Sequence, residues 1–163
     1  MELNHDIIDT PPRDAASVVM LRDAPDGLQV LLLRRHADSA VLGGAYVFPG
    51  GKVDAADAGA DTLARLDRAP AELHARLGEP ALSANQAAAL YVAAAREAGE
   101  ESGVLFLQVG AKETATHRAD TCARLRAGGQ FAALLAEHGA RLDTDALAPW
   151  SRWITPRRPS VMN

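Results

Sequence analysis

The sequence predicts an α/β fold, and three observations carry the prediction. Two β-rich runs, "AASVVMLR" and "LQVLLLRRH", flank "DAPDG", whose proline, aspartates and glycine supply turn geometry. An alanine-rich segment from Ala84 to Ser102 carries a helix start signal at one end and a stop signal at the other. The run "VLFLQV" that follows is apolar enough for a buried strand. With 163 residues, 48% of them apolar, the chain can bury a core and fits one domain, assigned to residues 15–163.

Taken in order, residues 1–14 end in "TPPRD" and read as an extended lead-in, because paired prolines exclude helix. The two β-rich runs then form a hairpin. A short strand "AYVF" meets "PGG", where Pro49 is expected to stop the strand and Gly50 and Gly51 to permit backbone conformations closed to other residues. From Asp54 to about Leu82 the chain is polar and alanine-rich, with little core of its own and two short helices, "DTLARLDR" and "PAELHARLG". Ser83 followed by Gln86 is a capping-box pattern, so the long helix runs from Ala84 to Ser102 and stops at Gly103. Beyond "VLFLQV", the segments "RADTCARLRAG" and "QFAALLAEHG" read as helices ended by glycine, and "APWSRWITP" as a last extended segment. Trp150 and Trp153 are expected in core packing there, with stacking on an adenine as the alternative.

A net charge of −4 and a pI near 5.7 argue against nucleic acid and anionic membranes as partners, since both normally need a basic face. Phosphate-bearing small molecules stay open, because a metal ion can supply the positive charge. The lone Cys122 cannot form an internal disulfide and reads as an ordinary helix residue, which suits a reducing, cytoplasmic setting. The acidic N-terminus has no apolar h-region, and no run approaches the ~18 apolar residues of a membrane span. The five histidines show no metal-ligand spacing and are expected at the surface.

The end of the long helix is unusual. In "AAAREAGEESGVL", Glu97, Glu100 and Glu101 share a face, where like-charge pairs cost roughly 0.2–0.5 kcal/mol each. They also meet the negative end of the helix dipole, at about 0.3–1 kcal/mol each. Leu90, Ala93 and Ala94 lie within about 60° of Glu97 on the helical wheel, so one stripe turns from apolar to acidic. Its apolar half can pack on a sheet while its carboxylates gather at the sheet margin, where clustered oxygens suit a hard cation such as Mg2+ or Mn2+. A solvated acidic helix end is the plainer alternative.

The segment "REAGEESGV" resembles the second half of the Nudix hydrolase signature, with Arg96, Glu97, Glu100, Glu101, Gly103 and Val104 in register and Ala98 where a bulky aliphatic is usual. The first half resembles "FPGGKVDAAD", with Gly51 as the motif glycine and Asp57 in place of the usual glutamate. Between Asp57 and Arg96 lie 38 residues where the compact motif has seven, so the box is split by an insertion at about 58–82. The entropic cost of such a loop grows only logarithmically with its length. Together with "VLLLRRHADSAVLGGAYVFPGGKVD" and "PWSRWITP", the split box is similar to the Nudix subgroup that contains the peroxisomal coenzyme A diphosphatase and its bacterial relatives, over roughly residues 15–156.

That resemblance implies an α/β/α sandwich on a mixed β-sheet, with a helical insertion inside the Nudix box. It implies hydrolysis of a diphosphate in a nucleoside diphosphate derivative, coenzyme A or acyl-CoA among them. Glu97 and Glu101 would be the principal ligands of Mg2+ or Mn2+, with Glu100 completing the site directly or acting on a bound water, and the Gly51 carbonyl joining the metal shell. Arg96 would pair with Asp57 or a neighbouring carboxylate and orient the cluster. Backbone N–H groups near Gly50 and Gly51, the Lys52 side chain and an arginine of the Arg34–Arg35 pair, assigned to Arg35, would meet phosphate. An ordinary strand-end role for that pair is the alternative. After "PWSRWITP" only "RRPSVMN" remains, so a terminal strand and helix of the family pattern are expected to be missing; the exposed edge that results is compatible with a homodimer. Two functions stand at this point: a metal-dependent diphosphatase, and a catalytically weak Nudix-like fragment or nucleotide-binding module.

Overall fold

The computed structural model describes residues 12–39, 43–108 and 115–154. Most of the expected lead-in and the terminal "RRPSVMN" lie outside the described residues. The architecture is built around α3 (Ala84–Ser102), whose ends follow from local chemistry. Ser83 Oγ accepts from the Gln86 N–H and Gln86 Oε1 from the Ser83 N–H, and Gly103 closes the helix at φ +78°. Its middle is buried nearly all round, with Ala88, Val92, Ala93 and Ala95 allowing close approach by its neighbours. Helix α2 (Pro70–Leu77) packs against it, as do α4 (Ala115–Arg126) and the 3-10 turn Ala55–Ala58.

Strands β1 (Ala15–Ser17) and β6 (Gly50–Lys52) pair antiparallel and pack on the same helix. The other ladders among the described residues are also antiparallel. They join β2 (Leu21–Ala24) to β3 (Gly27–Val30), β4 (Leu33–Arg34) to β5 (Tyr46–Val47), and β7 (Leu107–Gln108) to β8 (Arg141–Leu142). One parallel bridge, Leu66 to Leu142, complements them. The remaining helices are α1 (Ala60–Leu63) and α5 (Phe131–Glu137). No described helix is long and apolar enough to cross a membrane.

Three expectations change. The run "AASVVMLR" does not form one hairpin arm: Leu21–Ala24, with the Met20 carbonyl, pairs across the Pro25–Asp26 turn, while Ala15–Ser17 crosses to Gly50–Lys52. The strand before Pro49 ends at Val47, as expected, and a separate strand with another partner begins at Gly50, the Pro49 carbonyl accepting from the Val18 N–H at 2.8 Å between them. Gly50 and Gly51 have no left-handed φ, so they are needed for close approach and not for unusual backbone. Trp150 and Trp153 are 94% and 84% exposed. The segment carrying them crosses the surface, with Arg152 Nη1 2.7 Å from Glu79 Oε2, and no described ladder or core residue covers the rings.

The segment between Asp57 and α3 has no core apart from the rest. Leu66 and Leu73 enter the common cluster with Val92, Leu134 and Leu142. Polar clamps fix the same segment: Arg68 holds Asp145 with two hydrogen bonds of 2.8 and 2.7 Å, and Asp67 Oδ1 accepts from the Thr144 N–H and hydroxyl. Chain that separates the two halves of the motif therefore packs beside α3 and leaves its acidic end free to meet β6.

Candidate active site

The acidic end of α3 meets Lys52 and Asp57 through one guanidinium. Arg96 Nε and Nη2 donate to the two oxygens of Asp57 at 3.0 and 3.1 Å, and Nη2 also donates to the Lys52 carbonyl at 2.9 Å. Nη1 donates to Glu97 Oε1 at 2.9 Å and to Glu100 at 3.2 Å. Asp57 is 2% exposed and Arg96 8%. The carboxylate of Asp57 is further held by the Asp54 N–H at 2.8 Å. The expected pairing of Arg96 with Asp57 is thus a buried, two-pronged ion pair that joins the two halves of the motif.

Glu101 makes the second junction, its Oε2 accepting from the Gly50 N–H at 2.9 Å. That N–H is therefore committed to a carboxylate in this structure. Gly51 faces Glu97 so closely that an added Cβ would lie 2.7 Å from Glu97 Oε2 and nearer still to Oε1 and Cδ. Lys52 joins through its carbonyl, and its side chain does not line the cleft described below.

Burial opposes the charge on Arg96, but hydrogen bonds and attraction from Asp57 and Glu97 outweigh it and raise the guanidinium above its ordinary value. Burial pushes the Glu97 carboxyl above the usual carboxylate range; Arg96 pulls against that shift, and Glu100 and Glu101 add to it. Two cations answer the crowding at the helix end. Besides Arg96, Arg126 on α4 donates through Nε to the Glu100 carbonyl at 2.8 Å, beside the negative end of the α3 dipole. Sequence reasoning did not identify Arg126, although a last turn of α3 without a basic residue pointed to a cation from elsewhere.

An open cleft of about 800 Å3 is lined by Arg34, Arg35, Tyr46, Phe48, Gly50 and Glu101, among others. Arg35 thus lines the same cleft as Glu101, together with Arg34. Glu100 instead borders a smaller pocket of about 150 Å3 with Asp57 and Gln130, behind the Arg96 guanidinium. Among the described residues, no three His, Cys, Asp or Glu side chains converge closely enough to share a metal ion. Glu97 and Glu100 turn toward Arg96, and Glu101 toward Gly50. The donor set itself is all carboxylate oxygen on consecutive turns of one helix, which fits a hard divalent cation in its chemistry.

The NUDT19 Nudix domain model matches residues 12–163. The structure is similar to the crystal structure of a NUDIX hydrolase from Alicyclobacillus acidocaldarius, with a TM-score of 0.58 and 28% sequence identity. The match covers 83% of this chain and 59% of that one, so this chain spans less than two thirds of that structure's length. A family match over nearly the whole sequence agrees with a shared fold and with motif halves that meet in space, and the chain therefore belongs to the Nudix family.

Proposed function

We propose that this chain hydrolyses a diphosphate linkage in a nucleoside diphosphate derivative, with coenzyme A or an acyl derivative as the narrower substrate class. One observation carries the reading: residues 39 positions apart in sequence meet through the Arg96–Asp57 pair. Glu97 and Glu101, with Glu100 beside them, are the residues that would hold Mg2+ or Mn2+, and the Gly51 carbonyl would join them. Such an ion, when bound, supplies charge neutralisation of the diphosphate and acidifies water.

The chain's own residues supply the rest. Arg96, fixed by Asp57, orients Glu97 and Glu100. Arg35, with Arg34, counters phosphate charge, and N–H groups near Gly50 and Gly51 donate to phosphate oxygens once Glu101 releases Gly50. Water attacks phosphorus, one glutamate of the cluster takes its proton, and the bridging P–O bond breaks with the leaving phosphate carrying the electron pair. The small-molecule substrate and the lone, buried Cys122 support a cytoplasmic protein, and the exposed Leu21, Leu28 and Val30 of the β2–β3 hairpin support a homodimer.

A second reading, a nucleotide-binding module without turnover, draws on Glu97 and Glu100 both being engaged by Arg96. Incubating the protein with coenzyme A, ADP-ribose and NADH, with and without Mg2+ or Mn2+, and resolving products by mass separates the two. Metal-dependent cleavage at the diphosphate supports hydrolysis. Binding with no product from any of the three, at excess metal, supports the module.

A further inference from the structure

The β2–β3 hairpin has two unlike faces. Its register sets Leu21 opposite Val30 and Asp23 opposite Leu28, and cross-strand partners share a face. The other face carries Arg22 and Gln29, joined by a hydrogen bond of 2.9 Å from Arg22 Nε to Gln29 Oε1. Pairing runs one step past the strands, where the Leu31 N–H donates to the Met20 carbonyl at 3.0 Å. Alternation then puts Val19 and Leu32 on the side of Leu21 and Val30. Met20, on the side of Arg22, packs against the common core, so the apolar side points away from the body of the molecule.

The apolar side is uncovered among the described residues. Leu28 is 67% exposed and Leu21 58%, and Val19, Val30 and Leu32 lie between 43% and 49%. A two-stranded ribbon is marginal in water until its apolar face finds a partner. Helix α3 packs on β1 and β6, while β2 and β3 pack chiefly on each other. Five side chains so exposed present on the order of 500 Å2, the size of patch that marks an interaction site. Laid against the same face of a second copy, the patch would bury on the order of 1,000 Å2 in all, where specific interfaces begin. Asp23 orients the pair: it stands at the turn end, so two copies with their turns together would oppose like charges. With each turn over the other copy's base, Asp23 reaches the rim, and Leu21 and Val30 lie nearest the two-fold axis.

We propose that this face of β2–β3 is the dimer interface, with Leu21, Leu28 and Val30 packing on the same face of a second copy, turn over base; this rests on the homodimer proposed for the protein and is independent of its hydrolytic chemistry. Leu33 and Arg34, the next residues along the chain, line the cleft, which puts the second copy beside the candidate active site. The test is sedimentation velocity of the full chain from about 1 to about 200 μM, with thermal melts to confirm that each variant is folded. The wild type should pass from monomer to dimer with a Kd in the micromolar range, as suits a small interface. Leu21→Arg and Leu28→Arg should each weaken the dimer at least about tenfold. Gln29→Arg, on the opposite face, should leave it unchanged. On mild oxidation Val30→Cys should give a disulfide-linked dimer and Leu28→Cys should not, because only the first lies near the axis.

A wild type that stays monomeric at the highest concentration overturns this interface and the homodimer together. A Val30→Cys thiol that such a monomer shields from a soluble thiol reagent would identify another part of the same chain as the occupant. A dimer that survives Leu21→Arg and Leu28→Arg, or that links through Leu28→Cys and not Val30→Cys, keeps the homodimer and overturns this interface. None of these results bears on diphosphate hydrolysis.

Discussion

Replacing Arg96 with alanine is the most informative single perturbation of the site's architecture. The substitution removes two hydrogen bonds to Asp57, one to the Lys52 carbonyl and the contacts to Glu97 and Glu100. It leaves a carboxylate that is 2% exposed with only the Asp54 N–H as a donor. Truncating one member of a buried ion pair costs about 3–5 kcal/mol, because the remaining charge is neither solvated nor paired. In a chain of this size each kcal/mol lowers the melting temperature by about 2–4 °C, so the melt should fall by roughly 6–20 °C. Arg96→Lys keeps a charge but cannot grip both Asp57 oxygens, and should fall between the two. A double-mutant cycle with Asp57→Ala should give a coupling of at least about 1 kcal/mol, since the second truncation removes the stranded charge. A melt for Arg96→Ala within about 2 °C of wild type, or strict additivity in the cycle, would refute the claim that this pair joins the motif halves.

Three further outcomes follow from the geometry. Gly51→Ala should leave stability nearly unchanged, because its Cβ displaces the movable end of Glu97, yet turnover should drop at least about tenfold as that carboxylate leaves its place; parallel melts and kinetics check both halves. Arg126→Ala should cost about 1 kcal/mol by denaturant titration, a modest figure because this bond to the Glu100 carbonyl is exposed. Burial raises both the Cys122 thiol and the Tyr91 hydroxyl above their ordinary values. Above the unfolded thiol value near 8.5, the unfolded chain holds fewer protons than the folded one. Stability should therefore fall as pH rises from about 8.5 toward 11, with Cys122→Ala flattening the early part of the slope in urea titrations.

What was legible in the sequence was mostly local. The Ser83–Gln86 box and Gly103 bound α3 because capping involves residues within one turn of the helix ends. The pairing of Arg96 with Asp57 was also readable, since a motif records a spatial relation that the intervening chain does not alter. Partners distant in sequence were not readable in the same way. Nothing in "AASVVMLR" says that Ala15–Ser17 pairs with Gly50–Lys52 and not with the following run, because that choice is made by packing on α3. The role of Gly51 was misread for the same reason: its constraint comes from Glu97, on another element. Arg126 and the cleft face of Tyr46 and Phe48 were missed, although an uncompensated helix end and the alternation in "AYVF" were their available signals. The tryptophans failed as core residues because aromatic composition carries no direction.

The central claim is that the glutamates of α3, brought to the Gly50–Lys52 edge, make a hydrolytic site. The most direct test is product formation from coenzyme A and ADP-ribose at saturating Mg2+ or Mn2+, comparing wild type with Glu97→Gln and Glu101→Gln, each confirmed folded by its melt. The account predicts metal-dependent products from the wild type, and rates at least about a hundredfold lower in both variants. Folded, metal-loaded wild type that releases no product, or variants that turn over at the wild-type rate, would contradict it.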